Sequence, residues 1–321
     1  MLPLIGAAAK VEQPKPLRQR KSIKIAWLPQ AVCIAPVAAA KALGYFDQYN
    51  LDVELVGSDF HDDAFIRSPV EGRADAAVTM LHNWILPMAN GLPVKLITPV
   101  HGGCVRIVGS RRAGITEIAD LKGQRLGIPG GRVNSLATMV YSIILLRNGL
   151  VPGDVTFVPV ENEDFGKAFA EGTITAAGGI DPPLLMLQER QPDLVEIASN
   201  TTGAMAGTSC CVVAAGPSLW RDDPLASLVL SAALARASDW AQAHPDEAAA
   251  LFAQTSQLPQ AAVRKSLAAN NYHAHHVAGT PNGLAADVTS YAAVLKQIGL
   301  LPKTLDPVRF AAEHVDQAIC A

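Results

Sequence analysis

Five cysteines are the most reactive side chains in this 321-residue sequence, and their spacing limits the chemistry they can do. They stand at Cys33, Cys104, Cys210, Cys211 and Cys320. An odd count without a CxxC pair argues against a disulfide framework, and also against a zinc site with finger-like ligand spacing. Because a buried cysteine usually behaves as a small apolar side chain, we expect most of them to pack inertly.

A glycine-rich loop between an apolar run and a helical stretch is the second candidate. It contains Gly130, Gly131, Arg132, Asn134 and Ser135. Glycines let a backbone approach a ligand closely, and Asn134 or Ser135 could cap the following helix. Free N–H groups and the helix dipole at such a terminus favour an anion, to which Arg132 would add a positive charge. The alternative is a loop that carries Gly and Ser only to turn.

Further polar candidates follow other apolar runs. Gln30 and Cys33 follow the first run, His82 and Asn83 follow a second, and Asp181 follows a third. Residues that follow a strand lie at its carboxyl end, where ligands of α/β proteins bind. The alternatives are a surface or core histidine at position 82 and a helix cap at Asp181. An aspartate favours a ligand with a donor or a positive group, which conflicts with a simple anion.

The elements that would position these residues occur twice. One apolar run ends at Pro29 and a similar run ends at Pro129, 100 positions later. A helical stretch follows each run and is closed by a glycine, at Gly44 and at Gly149. In both halves a β-branched run follows, and after it a Glu-Gly turn. Two β–loop–α–β units predict an α/β protein with two similar lobes, each a mixed sheet flanked by helices, and a ligand cleft between them.

The order of these runs predicts the domain organisation. We expect residues 23–108 and 210–321 to form lobe 1, with the helical last third packed around it, and residues 109–209 to form lobe 2. Residues 1–22 are interpreted as a tail or as the remnant of an export signal. An apolar stretch ending in Ala7-Ala8-Ala9 resembles a cleavage region, but the positive head is missing.

The two passages between the lobes contain the remaining candidates. We assign Gly103, Cys104, Cys210 and Cys211 to the hinge or the floor of the cleft. If the passages are neighbours, their thiols and the nearby His82 could form a soft patch for a metal or a sulfur-containing ligand. Inert packing is the favoured interpretation, so no metal is assigned.

Composition and missing motifs exclude several classes of function. A net charge of −3 with 17% charged residues gives no basic surface for nucleic acid. No uninterrupted apolar run approaches the roughly 20 residues that span a bilayer. The sequence also lacks a P-loop, a GxGxxG fingerprint and a Ser/His/Asp order. We therefore expect a binding protein without catalytic residues or a cofactor.

Three phrases connect the sequence to a known family: Ala39-Ala40-Lys41-Ala42-Leu43-Gly44-Tyr45-Phe46, Glu71-Gly72-Arg73-Ala74-Asp75-Ala76-Ala77 and Asp120-Leu121-Lys122-Gly123-Gln124-Arg125-Leu126-Gly127. In their order and spacing, over about residues 23–301, the chain resembles substrate-binding proteins of nitrate/sulfonate/taurine ABC importers, which are related to thiamine-pyrimidine precursor proteins. The resemblance implies a type II periplasmic-binding-protein fold. It also implies that lobe closure captures a small anionic or sulfur-containing solute for a membrane permease. The protein would then be exported to the periplasm or cell surface, and we expect a monomer.

An enzyme with this fold, the fungal thiamine-pyrimidine synthase, provides the alternative. The resemblance places its active-site histidine at His82 and its cysteine-rich iron motif at 207–211, where Cys210 and Cys211 are present. Its pyridoxal-phosphate lysine falls at Val78, which cannot form a Schiff base. The alternatives are therefore precursor binding or a synthase-like activity that uses His82 and the two cysteines. A sensory domain with this fold is a third.

Overall fold

The computed structural model describes residues 13–57, 63–130, 136–272 and 283–316. Within these ranges the strands are β1 (Lys21–Trp27), β2 (Leu51–Gly57), β3 (Ala76–Met80), β4 (Lys95–His101), β5 (Val105–Ser110), β6 (Arg125–Ile128), β7 (Thr156–Pro159), β8 (Ala176–Ile180), β9 (Leu194–Ser199) and β10 (Cys211–Ala215). The helices are α1 (Ala35–Ala42), α2 (Tyr45–Gln48), α3 (Asp63–Arg67), α4 (Leu81–Ala89), α5 (Leu136–Arg147), α6 (Phe165–Ala170), α7 (Pro183–Arg190), α8 (Pro217–Trp220), α9 (Pro224–Ala243), α10 (Pro245–Ser256), α11 (Gln260–Ala269), α12 (Gly283–Gln297) and α13 (Pro307–His314).

The strands form two five-stranded mixed sheets with the same topology. The first sheet has the order β2-β1-β3-β10-β4, and the second has the order β7-β6-β8-β5-β9. In each, three parallel strands come from one β–α–β–α–β unit, and the fourth strand in the order runs antiparallel to both of its neighbours. The two-lobed α/β fold predicted from the sequence is confirmed.

The sequence repeat is also a repeat of strand register. Ile25 lies opposite Ala76 in the first sheet, and Leu126 lies opposite Ala176 in the second. Apart from Met80, the central strands β3 and β8 consist of small and β-branched residues, and both strands are buried on both faces except at their last position. Such continuous burial is typical of strands covered by helices on both sides. Equivalent side chains are therefore presented at equivalent strand ends.

Helices of the C-terminal third pack against elements of the first sheet and its helices. Helix α9 packs against α1 and β4, and α10 packs against α1 and α11. Alanine and serine form much of the buried face of α9, so that the helix can lie close to its neighbours. The carboxylate of Asp223 accepts a hydrogen bond from the Ala226 N–H and caps the start of this helix. Helix α12 also reaches across to α5 of lobe 2.

The position of β5 bears on the boundary between the lobes. Although the sequence analysis extends lobe 1 to residue 108, β5 pairs with β8 and β9 of the second sheet from Val105 onward. We therefore propose that the first passage lies at residues 102–104. Of the expected tail, residues 1–12 lie outside the described ranges. Among the helices that the structure describes, none is long and apolar enough to cross a membrane.

Candidate site at the crossing between the lobes

The two passages between the lobes are structurally equivalent. The Leu81 N–H donates to the Cys210 carbonyl at 2.6 Å, and the Asp181 N–H donates to the Cys104 carbonyl at 3.3 Å. Strand pairing next to these bonds has the same register in both sheets. Cys104 and Cys210 therefore occupy corresponding positions, one in each passage, and their Sγ atoms are 3.5 Å apart. The local symmetry relating the two lobes brings these two side chains together.

Several strand ends meet around this crossing. β3 and β8 end beside the two passages, and β4 ends at His101, directly before the first passage. A short helical turn after β1, Val32–Ile34, brings Cys33 to the same place. Because ligands of α/β proteins bind outside the carboxyl ends of strands, the crossing is where a ligand site is expected.

Four cysteines form a compact thiol cluster at the crossing. The Cys104 and Cys210 sulfur atoms are 3.5 Å apart, and those of Cys33 and Cys211 are 4.0 Å apart. All four side chains are free thiols, and none is more than 3% exposed. The side-chain amide of Asn200 donates to the Cys210 sulfur at 3.3 Å. The sequence analysis placed three of these residues at a shared crossing and Cys33 among the ligand contacts; Cys320 lies outside the described residues.

His101 completes the cluster and was missed as a site residue. Its ring nitrogens lie within 4.8 Å of the Cys33 and Cys104 sulfurs, and within 4.8 Å of those of Cys210 and Cys211. The side chain is fully buried, and neither ring nitrogen has a hydrogen-bond partner. The sequence predicts the imidazole of His82 near these thiols instead. The available signal was the position of His101, at a strand end immediately before two glycines.

The first passage has an unusual backbone. Gly103 has a φ of +95°, and Cys104 follows with a φ of +102°, a region that a residue with a Cβ rarely adopts. A Cβ at Gly103 would lie 2.2 Å from the Cγ2 atom of Thr201. The passage therefore requires glycine at 103, and strain at 104 is held in place by the surrounding packing.

The thiols of the cluster differ in acidity. Hydrogen bonds, first from Cys104 and then from Cys211, lower the pKa of Cys33 well below its ordinary value, and the same two donors lower the pKa of Cys210. The hydrogen bond to Cys210 raises the pKa of Cys104. Burial is the largest single influence on His101 and works against its charged form, but several raising influences, led by attraction to the Cys33 thiolate and including attraction to Cys210, together raise the pKa of the imidazole. The cluster thus favours thiolates paired with thiol donors and a cation.

A group of three charges lies at the corresponding strand end of lobe 2, and two of its members, Arg106 and Asp181, are buried while Glu196 is exposed. The Arg106 guanidinium donates to Asp181 Oδ2 at 2.6 Å and to Glu196 Oε2 at 2.7 Å. The Asp181 side chain is fully buried, and its Oδ1 atom has no hydrogen-bond partner. Burial raises the pKa of Asp181 to about 6, because desolvation outweighs the attraction to Arg106. Arg106 is a site residue that sequence reasoning missed.

The other predicted contacts are placed as follows. His82 is buried in the first turn of α4, and the half-buried Asn83 donates to Thr79 Oγ1 at 3.1 Å. Gln30 is exposed in the turn after β1. The Gly130 N–H donates to the Glu161 carboxylate at 3.3 Å, so an acidic side chain already accepts from this part of the loop. The rest of the predicted glycine loop lies outside the described residues: Gly131, Arg132, Asn134 and Ser135.

Two further observations bear on what can bind. A surface hollow lined by Lys24, Lys41 and Glu54 lies at the amino ends of β1 and β2, the opposite edge of the sheet from the crossing. Val78, where the resemblance to the fungal synthase places the pyridoxal-phosphate lysine, is fully buried in the middle of β3. No amine is present at that position, so the residues here do not fit a Schiff-base cofactor.

Two mixed five-stranded sheets of equal topology, joined at one crossing, are the periplasmic-binding-protein fold. The chain matches the family described as NMT1/THI5 like over residues 32–248. It belongs to this family.

Relatives of known sequence carry names from more than one functional class. A Brucella abortus protein provisionally named as a binding protein is 24% identical over 286 residues, covering 84% of this chain and 83% of the relative. A Haemophilus influenzae protein provisionally named for thiamine biosynthesis is 27% identical over 292 residues, 87% of each chain. A Candida albicans protein named 4-amino-5-hydroxymethyl-2-methylpyrimidine phosphate synthase is 27% identical over 231 residues, covering 66% of this chain and 65% of the relative.

Solved structures with the same fold include binding proteins. The periplasmic aliphatic sulphonate binding protein SsuA of Escherichia coli superposes with a TM-score of 0.69 at 16% identity, covering 91% of this chain and 92% of its own. The periplasmic nitrate-binding protein NrtA of Synechocystis superposes with a TM-score of 0.70 at 14% identity, covering 96% and 88%. At these identities the likeness establishes the fold.

Proposed function

We propose that this protein is the solute-binding component of an ABC importer. It captures a small organic solute between its lobes by closure and presents the closed form to a membrane permease. The main support for this proposal is that strand ends from both lobes meet at one crossing, with Asn83 on one side and Asp181 on the other. Family membership and the named binding proteins with this fold support the proposal.

Export follows from the same proposal. A solute receptor for a permease works on the outer side of the membrane, in the periplasm or at the cell surface. We propose that the protein acts there as a monomer and performs no chemistry on its solute.

The solute is proposed to be anionic or sulfur-containing, as for sulfonate, nitrate and taurine receptors. Support comes from the sequence of residues 130–135, because glycines followed by Asn and Ser before a helix are typical of anion sites. The thiol cluster offers a polarizable surface for sulfur at the floor of the cleft.

One specific observation favours a second candidate, a thiamine-pyrimidine precursor. Arg106 is already bonded to Asp181 and Glu196, so this cation is not free for an anionic solute. The unpaired Oδ1 atom of Asp181 would accept a hydrogen bond from a solute donor, such as the amino group of a pyrimidine. Relatives named for thiamine biosynthesis and for pyrimidine phosphate synthesis point the same way. The synthase-like alternative would use His82, Cys210 and Cys211.

Calorimetric titration and thermal unfolding, with a panel of sulfonates, nitrate, aminopyrimidines and thiols, test both candidates. A cognate solute should bind at micromolar concentration and raise the melting temperature, because it binds the folded state alone. Asp181→Asn should weaken binding of an aminopyrimidine at least tenfold, whereas Asp222→Asn, an exposed aspartate paired with Arg221, should not.

The results separate the candidates. Binding of sulfonates or nitrate alone supports the first solute class, and binding of pyrimidines alone supports the second. Turnover of a pyrimidine precursor that is lost in His82→Ala would contradict a pure binding role. A folded protein that binds no member of the panel would also count against solute capture as proposed here.

A further inference from the structure

The thiol cluster has the composition and spacing of a metal site. We propose that the crossing holds one buried Zn²⁺ ion, bound by an imidazole and three thiolates drawn from five residues: Cys33, His101, Cys104, Cys210 and Cys211. This site goes beyond solute capture, because it concerns the connection between the lobes and not the solute.

The distances fit tetrahedral coordination. Zinc–sulfur bonds are about 2.3 Å long, so two thiolates on a tetrahedral ion are roughly 3.8 Å apart. The two sulfur pairs in the cluster are 3.5 Å and 4.0 Å apart, on either side of that value. His101 lies within 4.8 Å of both pairs. The donors thus form two groups of three that share His101, and side-chain rotation would have to bring a fourth donor to a single ion.

The state of His101 is the second argument. Its ring is completely buried, yet both nitrogens lack a hydrogen-bond partner. An unpaired polar group in the interior costs stability, and inert packing of the thiols leaves that cost in place. A bound Zn²⁺ would take one imidazole nitrogen as a ligand. The aromatic ring of Tyr272, whose centroid is 5.9 Å from that of His101, limits the orientations of the imidazole.

Groups around the cluster can stabilise the charge of the complex. Three thiolates and one Zn²⁺ leave a net charge of −1 in a buried site. The Asn200 amide already donates to the Cys210 sulfur at 3.3 Å, and the fourth thiol can donate to a bound thiolate. The site therefore has both a donor set and the outer hydrogen bonds that metal–thiolate sites require.

The donors come from separate parts of the chain. Cys33 follows β1, His101 ends β4, Cys104 lies in the first passage, and Cys210 with Cys211 ends the second passage. An ion bound to these segments would join both passages to the floor of lobe 1. We expect zinc to stabilise the crossing against unfolding without blocking the outer parts of the lobes.

Metal content and a cobalt spectrum test the site in the full-length chain. The protein is produced with added zinc, purified without air in the presence of a phosphine reductant, and analysed by elemental mass spectrometry. We expect one zinc ion per chain. Replacing zinc with Co²⁺ should produce thiolate-to-metal charge-transfer bands and the intense visible bands of tetrahedral cobalt. The reductant keeps the thiols from forming disulfides during the measurement.

Substitutions assign the ligands. His101→Ala should shift the visible cobalt bands or abolish them, and the double variant C104S/C210S should lose most of the metal. Thr98→Val is the matched control, because Thr98 is also buried on β4 but does not belong to the cluster. It should keep one zinc ion per chain.

The wild-type measurement alone can overturn the proposal, even if a variant fails to fold. Reduced, folded wild-type protein that takes up neither zinc nor cobalt contradicts it, as does metal uptake that persists in both cluster variants. Octahedral cobalt bands, or a strong preference for another metal, would also reject a zinc–thiolate site. None of these readouts depends on the solute, so failure here is distinguishable from failure of the proposed transport role.

Discussion

Equivalent positions in the two lobes carry opposite chemistry. Leu81 and Asp181 make the same backbone bond to the two passages, and Val212 in β10 corresponds to Arg106 in β5. Lobe 1 therefore has two fully buried apolar residues where lobe 2 has an ion pair. A buried ion pair is seldom more stable than a well-packed apolar pair of similar volume. We propose that lobe 2 keeps these charges for solute recognition and not for folding.

Replacing the charged residues of lobe 2 with their apolar counterparts from lobe 1 tests this difference and should have the largest effect. Arg106→Val should lower the free energy of unfolding by about 3–5 kcal/mol, because Asp181 would be left buried without its partner. The double variant R106V/D181L, which copies lobe 1, should recover most of that loss. Chemical denaturation measures both, and Asp181→Leu alone is the control. A double variant as unstable as the single one would show that the pair is needed for folding.

The next expected effect is a pH dependence of stability that comes from Asp181 of lobe 2. The pKa of Asp181 is raised from 3.8 to about 6 on folding, so the folded state favours the protonated carboxyl. That contribution is fully present below pH 3.8 and is lost as the pH rises through about 6. Relative to Asp181→Asn, the wild type should lose about 2 kcal/mol between pH 4 and pH 7. Parallel stability profiles for the two proteins would contradict the raised pKa.

Glycine at the first passage should matter more than glycine at an ordinary helix end. Gly103→Ala should cost about 2–3 kcal/mol, because it combines a positive φ with a clash against Thr201. Gly149→Ala is the matched control, since Gly149 has a φ of +83° but open space around its Cα. It should cost about 1 kcal/mol. Adding Thr201→Ala should restore part of the stability lost in Gly103→Ala. Equal losses in the two single variants would mean that the clash is unimportant.

The smallest expected effect is at the outer contact between the lobes. Lys265 of α11 forms an exposed ion pair with Glu189 of α7. Lys265→Met should change the free energy of unfolding by less than about 1 kcal/mol and weaken solute binding less than tenfold. The residual effect should diminish at high salt. A large, salt-independent loss of binding would instead give this contact a direct part in recognition.

Much of the architecture could be predicted because it is encoded locally and occurs twice. The apolar runs and the glycines that end two helices predicted the strands, the helices and two similar lobes. The closeness of Cys104 to Cys210 and Cys211 followed from expecting the passages to be neighbours. Their functional roles remain predictions.

The missed residues depend on contacts distant in sequence. Arg106 has the appearance of an outward-facing strand residue, and its burial makes sense only beside Asp181, 75 positions away. His101 looks like a turn residue before Gly102, and its place in the cluster depends on β10 lying next to β4. Periodicity cannot reveal such pairings, because it reports which face is buried and not which segments meet.

The two links between the sheets differ in length. Residues 102–104 join β4 to β5, whereas residues 200–210 join β9 to β10. Three residues can span at most roughly 11 Å, so in the proposed lobe closure the shorter link would set the axis about which the lobes rotate. The longer link has residues to spare and would not limit the proposed rotation of the lobes. Inserting a few residues into the short link would therefore relax the relative positions of the two lobes far more than the same insertion into the long link.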